Sequence, residues 1–447
     1  MAGIIQADFL QPQSSAGLSI LNPSGNTVMA SVNSAGIFSS TGSLLVANTG
    51  NVFSTGNVTA SGTVTTSSLV ATGTSTFTNN ISAPNTFGFK NRLINGAMVI
   101  DQRASGASTS VQTSTTYATC DRWQTFASTN SAFSIQQNAG SVTPPAGFTN
   151  YLGCTTASSS YSVGAGDYFG FRQGIEGYNI ADWNWGTANA KTITLSFWVY
   201  SSLTGTFGGV IKNQASTRSY PYTYSISSTN TWTYITVTIP GDTTTPASNW
   251  PTNNTNGVWI QWGLGVGSTY SGAAGSWQAS NLISATGAVS VVGTANAYLY
   301  VTGVQVEVGT QATSFDYRPY TTELQLCQRY FETSFTQGTA PGNSTAAVNN
   351  GTHQLITCYN TNQGWINGVY YKVQKRTSSS SITTYSFPGT GSGGTWGWYT
   401  TGWNTMTSTT VDFYSDTAFG LLGSSSSSFA SGSTFLCTGA WAVSAEL

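Results

Sequence analysis

An elongated all-β chain is what the sequence predicts, and three observations predict it. Short runs of alternating apolar and polar residues recur between clusters of Gly, Pro, Asn and Ser. Helical patterning is almost absent, with one candidate helical turn at Thr321 to Tyr330. Between them and the N-terminus lies a tract in which valine returns every six residues, at Val46, Val52, Val58, Val64 and Val70, with Gly50, Gly56 and Gly62 on the same beat.

The chain of 447 residues divides by composition into four segments. Residues 1–45 mix apolar and polar residues, with Gly17, Gly25, Gly36 and Gly42 as turn punctuation and Asp8 as the one charge. Residues 46–88 hold the six-residue register. A Ser/Gly linker is one reading of that tract. The other is a repeating β-shaft, in which a single chain cannot close a core with one apolar residue in six. Three chains around a common axis supply one valine each per layer. At ~4.8 Å per rung, five repeats make a rod of roughly 25 Å. The five valines are thus candidate trimer-axis residues.

Residues 89–323 are expected to form a β-sandwich. In "KTITLSFWVYSS", Ile193, Leu195, Phe197 and Val199 share one face and Trp198 and Tyr200 the other. In "TWTYITVTIP", Ile235, Val237 and Ile239 oppose Trp232, Tyr234, Thr236 and Thr238. In "LYVTGVQVEVG", Val304, Val306 and Val308 oppose Gln305 and Glu307. Each pattern fits an antiparallel strand with one face in the core and one wet. Trp198, Trp232 and Trp259 fall in such runs and are expected in the core. Residues 324–447 read as a smaller C-terminal β-domain.

Composition narrows function. Only 6% of residues are charged and the formal net charge is −1, which argues against nucleic-acid binding and against a polybasic membrane anchor. No run approaches the ~18 apolar residues of a membrane span. The start, "MAGIIQADFLQPQ", lacks a basic region followed by an apolar one, so synthesis in a cytoplasm without an encoded export route is expected. Five widely spaced cysteines (Cys120, Cys154, Cys327, Cys358, Cys437) read as small buried apolar residues rather than disulfides or a zinc site.

Catalysis has little material. The single histidine, His353, has no G-x-S-x-G elbow beside it. Glycoside hydrolysis needs two carboxylates about 5 to 9 Å apart. The acids, among them Asp101, Asp121, Asp167, Glu176, Asp182, Asp242, Glu307 and Asp316, form no recognisable motif, and Asp121 with Arg122 reads equally as a structural ion pair. Neither a cofactor nor a metal is expected. Sugar binding has more to draw on, because pyranose C–H faces pack on aromatic rings in polar loops. Candidates are Trp183 and Trp185 in "NIADWNWGTAN", Tyr220 and Tyr222 in "STRSYPYTY", Trp250 in "PASNWPTNN" and Trp277 in "SGAAGSWQASN". Trp396, Trp398, Tyr399 and Trp403 in "GSGGTWGWYTTGW" complete the set as an exposed platform or a trimer seam. The basic "YYKVQKRT" reads as an edge strand blunted by charge, or as a contact for an anionic polysaccharide.

Several strings carry a resemblance. "NRLINGAMVIDQR", "DRW" at Asp121 to Trp123, "LSFWVYSS", "VTGVQVEVGTQATSFDYRPYTTELQLCQRYFE" and "AWAVSAEL" are similar to tail-fibre and related virion proteins of tailed bacteriophages, over residues 89–447. Val306, Ser314 and Asp316 stand where leucine, proline and glutamate are usual, so no role is carried over to Asp316. The resemblance implies a homotrimeric virion fibre held to tail, neck or capsid proteins through residues 1–45. It also implies a jelly-roll domain like a carbohydrate-binding module, a distal β-domain, and bacterial surface glycan (lipopolysaccharide or capsule) as target. Non-catalytic host attachment is the leading expectation. A purely structural fibre of neck or capsid, or a polysaccharide depolymerase, are the alternatives.

Overall fold

The computed structural model describes residues 18–21, 28–33, 36–39 and 90–447, apart from 245, 344–351, 379, 387–393 and 427–428. Two compact units divide the chain, residues 1–81 and 82–447. In the first, strands Leu18–Leu21, Val28–Asn33 and Gly36–Ser39 pair antiparallel in chain order. The valine register from Val46 to Val70 lies outside the described residues.

The second unit begins with two packed sheets. Five strands run in the order Ser219–Ile226, Gly205–Asn213, Asn256–Val266, Tyr168–Glu176 and Gln124–Ala127. Six run in the order Thr233–Ile239, Ile193–Ser201, Tyr298–Val308, Leu152–Thr156, Phe133–Gln137 and Thr109–Ser110. All their pairings are antiparallel. The alternation expected from sequence is what closes them: Ile193, Leu195, Phe197 and Val199 are fully buried against Phe171, Trp262 and Tyr224 of the facing sheet. Each such side chain contributes about 1.5–3 kcal/mol by leaving water. Phe171 stacks on Trp262 at 5.3 Å, and Trp123 leans on both.

Two expectations about the second faces are corrected. Gln305 and Glu307 are buried rather than wet, because residues 309–318 fold back over that strand. The Thr313 amide and hydroxyl donate to Glu307 at 2.8 and 2.7 Å, and the Asp316 amide donates to Gln305 at 2.8 Å. Trp198 and Trp232 are half-buried on the outer side of the six-stranded sheet, beside Tyr234 and Tyr200 respectively. Trp259 is buried, but on the outer side of the five-stranded sheet.

The helix Tyr320–Gln328 stands where the helical turn was expected and straddles the 323/324 boundary. Beyond it a further sheet has the order Trp403–Thr405, Gly397–Tyr399, Thr434–Ser444, Thr352–Cys358, Gln363–Tyr370, Ala418–Ser424 and Ser408–Tyr414. Phe331–Thr333 and Ser381–Tyr385 pair with the far half of Thr434–Ser444. Its core gathers Ile356, Ile366, Trp396, Trp398, Phe419, Leu421 and Trp441. Gly439, in the long strand, lies where an added Cβ would sit 2.2 Å from the Trp396 ring, so only glycine lets that indole pass.

Charges, scarce as they are, join the two parts. Glu446 pairs with both Arg122 and Arg103, and Arg329 grips Glu176 through two hydrogen bonds of 2.9 and 2.6 Å. Asp121 and Arg122, read as a pair, do not meet: Asp121 instead faces Gln102 and Arg103, while Arg122 takes φ 74° and turns to Glu446. The basic cluster is no edge strand. Residues 371–378 are irregular, Lys375 is buried on Glu332 at 2.6 Å, and Arg376 donates to the carbonyls of Ala445, Asn254 and Glu446. All five cysteines are free and buried.

Burial pushes the Asp121 carboxyl up to about 7, with Arg103 and Gln102 opposing it. The folded chain therefore keeps a proton that the unfolded chain loses near pH 4, and stability falls as pH rises from about 4 to 7. Asp121→Asn is expected to flatten that slope, read as the urea midpoint at pH 4.5 and 7.5. An unchanged slope would place the titration elsewhere.

Candidate functional site

Five of the aromatic residues singled out from sequence come together at one end of the sandwich. Trp185 lies 4.8 Å from Trp183, 4.7 Å from Trp250 and 5.2 Å from Trp277, and Tyr220 completes the group at 5.3 Å from Trp277. Two short turns, Ala181–Trp183 and Ala247–Asn249, bring the rings in. The second packs on Gly186, where φ is 82° and an added Cβ would lie 2.5 Å from the Ala247 backbone, so no side chain fits. The rings face one another, however, and not solvent. Trp183, Trp185, Trp250 and Tyr220 are buried and Trp277 is half-buried. Tyr222 lies deeper, its hydroxyl donating to the Gln261 carbonyl at 2.9 Å. A cleft of about 170 Å³ shows the flanks of Trp185 and Trp250 beside Asn184, Thr187 and Thr252. The expectation of open stacking platforms here is corrected: these rings seal the end of the sandwich.

The C-terminal candidates split by strand alternation. Trp396 and Trp398, 0 and 3% exposed, point into the core, where Trp398 meets Phe429 at 4.6 Å and Phe435 at 5.0 Å. For them too the exposed platform is corrected. Tyr399 and Trp403 point outward at 42% exposure each, ring centroids 5.3 Å apart. Backbone register extends this pair. Trp403 is opposite Tyr399, Tyr399 opposite Leu436, and Leu436 opposite Leu355, so one row crosses four strands. In the adjacent row Thr357 faces Trp365, which is itself exposed and 5.0 Å from Tyr359. No residue named in the two rows carries a charge. At the rim the Tyr359 hydroxyl donates to Gln363 at 2.7 Å and the Asn404 amide to the Gly402 carbonyl at 3.1 Å.

Sequence reading found half of this face. Tyr399 and Trp403 stand in a glycine-rich run that draws the eye, whereas Trp365 and Leu355 sit in ordinary strand patterns. Their outward orientation follows only from the inward burial of Ile356 and Ile366 next to them. An apolar row of this width on a solvent face is the kind of surface that marks an interaction site. Rings flanked by amides and hydroxyls suit the C–H face and the hydroxyls of a sugar.

The acids are used otherwise. Asp182, Asp242, Glu176, Glu323, Glu332 and Glu446 each hold a basic side chain. Among the described residues no group of three or more His, Cys, Asp or Glu is placed to hold a metal, and no helix is long and apolar enough to cross a membrane. His353 lies on the exposed side of its strand.

No family model and no curated protein matches the chain. Among solved structures it is similar to the enzymatically active domain of bacteriophage CBA120 tailspike protein 4, at 11% identity and TM-score 0.26, covering 49% of this chain and 21% of that one. It is similar to the family 11 carbohydrate-binding module of a cellulosomal cellulase from Clostridium thermocellum, at 11% identity and TM-score 0.21, over 47% of this chain and 99% of that module. A third is the N-terminal cellulose-binding domain of a β-1,4-glucanase from Cellulomonas fimi, at 13% identity and TM-score 0.20, over 37% and 82%. The chain thus spans about a fifth of the tailspike domain's length.

Proposed function

We propose that the chain is a non-catalytic attachment protein of a tailed-phage fibre, which binds bacterial surface glycan through the outward face of its C-terminal sheet. The observation that carries this is the uncharged row Trp403–Tyr399–Leu436–Leu355, with Trp365 beside it, left open to solvent. In this reading residues 1–45 hold the virion, residues 46–88 join three chains, and three weak sites on one trimer act at high effective concentration.

The test is binding of the full-length protein to lipopolysaccharide and capsule preparations from a panel of bacteria. Tyr399→Ala with Trp403→Ala is expected to lower affinity for whichever glycan binds by ten-fold or more, with an unchanged melting curve because both rings are exposed. Equal affinity in the variant, or no binding to any preparation, would sink the proposal. A second reading has one observation in its favour: Leu355 and Leu436 are aliphatic, which suits burial against another copy of the chain. On that reading Leu355→Glu dissociates the oligomer in light scattering and glycan binding is absent throughout.

A further inference from the structure

The outer side of the five-stranded sheet of the sandwich holds a second constellation, remote in sequence from the aromatic row. Register sets it out. Arg172 is opposite Gln124 on one side and Gln261 on the other, and Lys212 is opposite Trp259 in the next row. The inward neighbours Phe171, Ile211, Ile260 and Trp262 are all fully buried in the core, so these four strands turn Gln124, Arg172, Gln261, Trp259 and Lys212 to the same outer face. The Arg172 guanidinium lies 3.9 Å over the Trp259 ring and its Nε donates to Gln124 at 2.6 Å. Lys212 is 4% exposed and its ammonium donates to Asn281 at 2.9 Å.

Three features of this group are unexplained by the fold. First, neither cation has an acid among the described residues. Among the described residues Arg92, Arg103, Arg122, Arg218, Arg318, Arg329 and Lys375 each pair with a carboxylate, and Arg376 clamps three carbonyls. Among the described residues neither half-buried Arg172 nor buried Lys212 forms an ion pair, and the Arg172 charge acts against that of Lys212. Burial and the Arg172 charge push the Lys212 ammonium down to about 7, and burial pushes Arg172 down to about 10. Second, Gln261 is 1% exposed, and both its amide nitrogen and its amide oxygen lack a partner. A buried amide left so costs about 1–3 kcal/mol. Third, among the described residues Arg172 donates a hydrogen bond only through its Nε, and its guanidinium otherwise lies over the Trp259 ring, so its two terminal nitrogens keep donors for a ligand. Two like charges beside an idle amide are expensive in a dry site unless something of opposite sign joins them.

We propose that this face is an oxyanion site, in which Arg172, Lys212 and Gln261 receive a carboxylate, sulfate or phosphate, free or carried on a sugar. The planar guanidinium offers two parallel N–H donors to such a group, the ammonium a compact charge, and the amide a neutral donor. The chemistry is separate from the uncharged row of the C-terminal sheet, so the two sites select different features of a ligand. The inference does not depend on the attachment role.

The experiment is calorimetry and thermal unfolding of the full-length protein with sodium phosphate, sodium sulfate, glucuronic acid and, as the neutral control, glucose, at constant ionic strength. At least one of the three oxyanion probes is expected to bind and to raise the melting temperature, while glucose does neither. Inorganic phosphate or sulfate acting alone identifies a free-ion site; glucuronic acid binding more tightly identifies an acidic sugar. Lys212→Met is expected to cut oxyanion affinity at least ten-fold and to abolish the melting shift, while the unliganded protein melts no lower, since an unpaired buried charge has been removed. If Lys212→Met fails to fold, Arg172→Gln, at a half-buried position, must show the same loss of binding. No binding by any oxyanion, glucose binding equally, or variants that bind as the parent does would each overturn the proposal.

Discussion

Glu446→Gln is expected to destabilise the protein by about 3–5 kcal/mol, the cost of leaving a buried charge without its partner. The Arg122 side chain is 1% exposed and lies 3.6 Å over the Tyr330 ring, with one amino group donating to the Gly174 carbonyl at 2.7 Å and the other to Glu446. Burial works against the Arg122 charge, and the Glu446 carboxylate together with smaller contributions from Tyr330, Tyr117 and Cys327 more than offsets it, holding this guanidinium above the usual arginine range. An arginine cannot escape by losing its proton. Neutralising Glu446 strands Arg122 and deprives Arg103 of its 2.8 Å partner in the same step. The measurement is the urea midpoint and m-value at pH 7, with Glu446→Asp expected in between because the carboxylate survives one methylene short. A loss below about 1 kcal/mol would mean that the ring and the Gly174 carbonyl suffice for Arg122.

Lys375→Met is expected to cost a similar amount, for the opposite charge. Lys375 and Glu332 have side chains at 0% exposure and meet at 2.6 Å, and Glu332 also accepts from the Lys372 and Val373 amides at 2.8 and 3.3 Å. Burial lowers the Lys375 pKa, and the Glu332 charge opposes that. Removing the lysine leaves a carboxylate in a dry site with only amides to serve it, which about 3–5 kcal/mol reflects. Glu332→Gln in the Lys375→Met background is expected to recover much of the loss, since the remaining amide needs no counter-charge. Urea titration of the single and double variants forms a cycle. Additive losses would show that the two groups are not coupled.

Both predictions concern contacts that no local pattern announces. Alternation exposed the sandwich core residue by residue, because burial on one face is written into every second position of Ile193–Ser201. It misjudged Gln305 and Glu307 because a strand does not record what a later loop lays over its polar face. The aromatic candidates met the same limit. A tryptophan in a polar loop either offers its ring to a ligand or plugs an end, as Trp185 does with three other indoles, and composition is the same in both. Trp398 and Tyr399 are adjacent in sequence and opposite in fate, which only the neighbouring strand decides. Arg172 and Lys212 were legible as charges set within apolar, glycine-containing strand runs, in a chain with 6% charged residues.

The strand Thr434–Ser444 pairs with Thr352–Cys358, Gly397–Tyr399, Phe331–Thr333 and Ser381–Tyr385, and it follows all four in the chain. Translation therefore delivers the hub of this sheet after the strands it joins. Until residue 444 emerges, those four lack their shared neighbour and keep open edges, the condition in which β-chains mispair with one another. At about 5–20 residues per second the wait is a matter of seconds, yet the contacts that end it are long in sequence and slow to form. Leu436, which completes the outward row, arrives on that same strand. The aromatic face is thus among the last surfaces of the molecule to come into being, and a chain stalled before residue 434 would carry Tyr399 and Trp403 without the strand that aligns them.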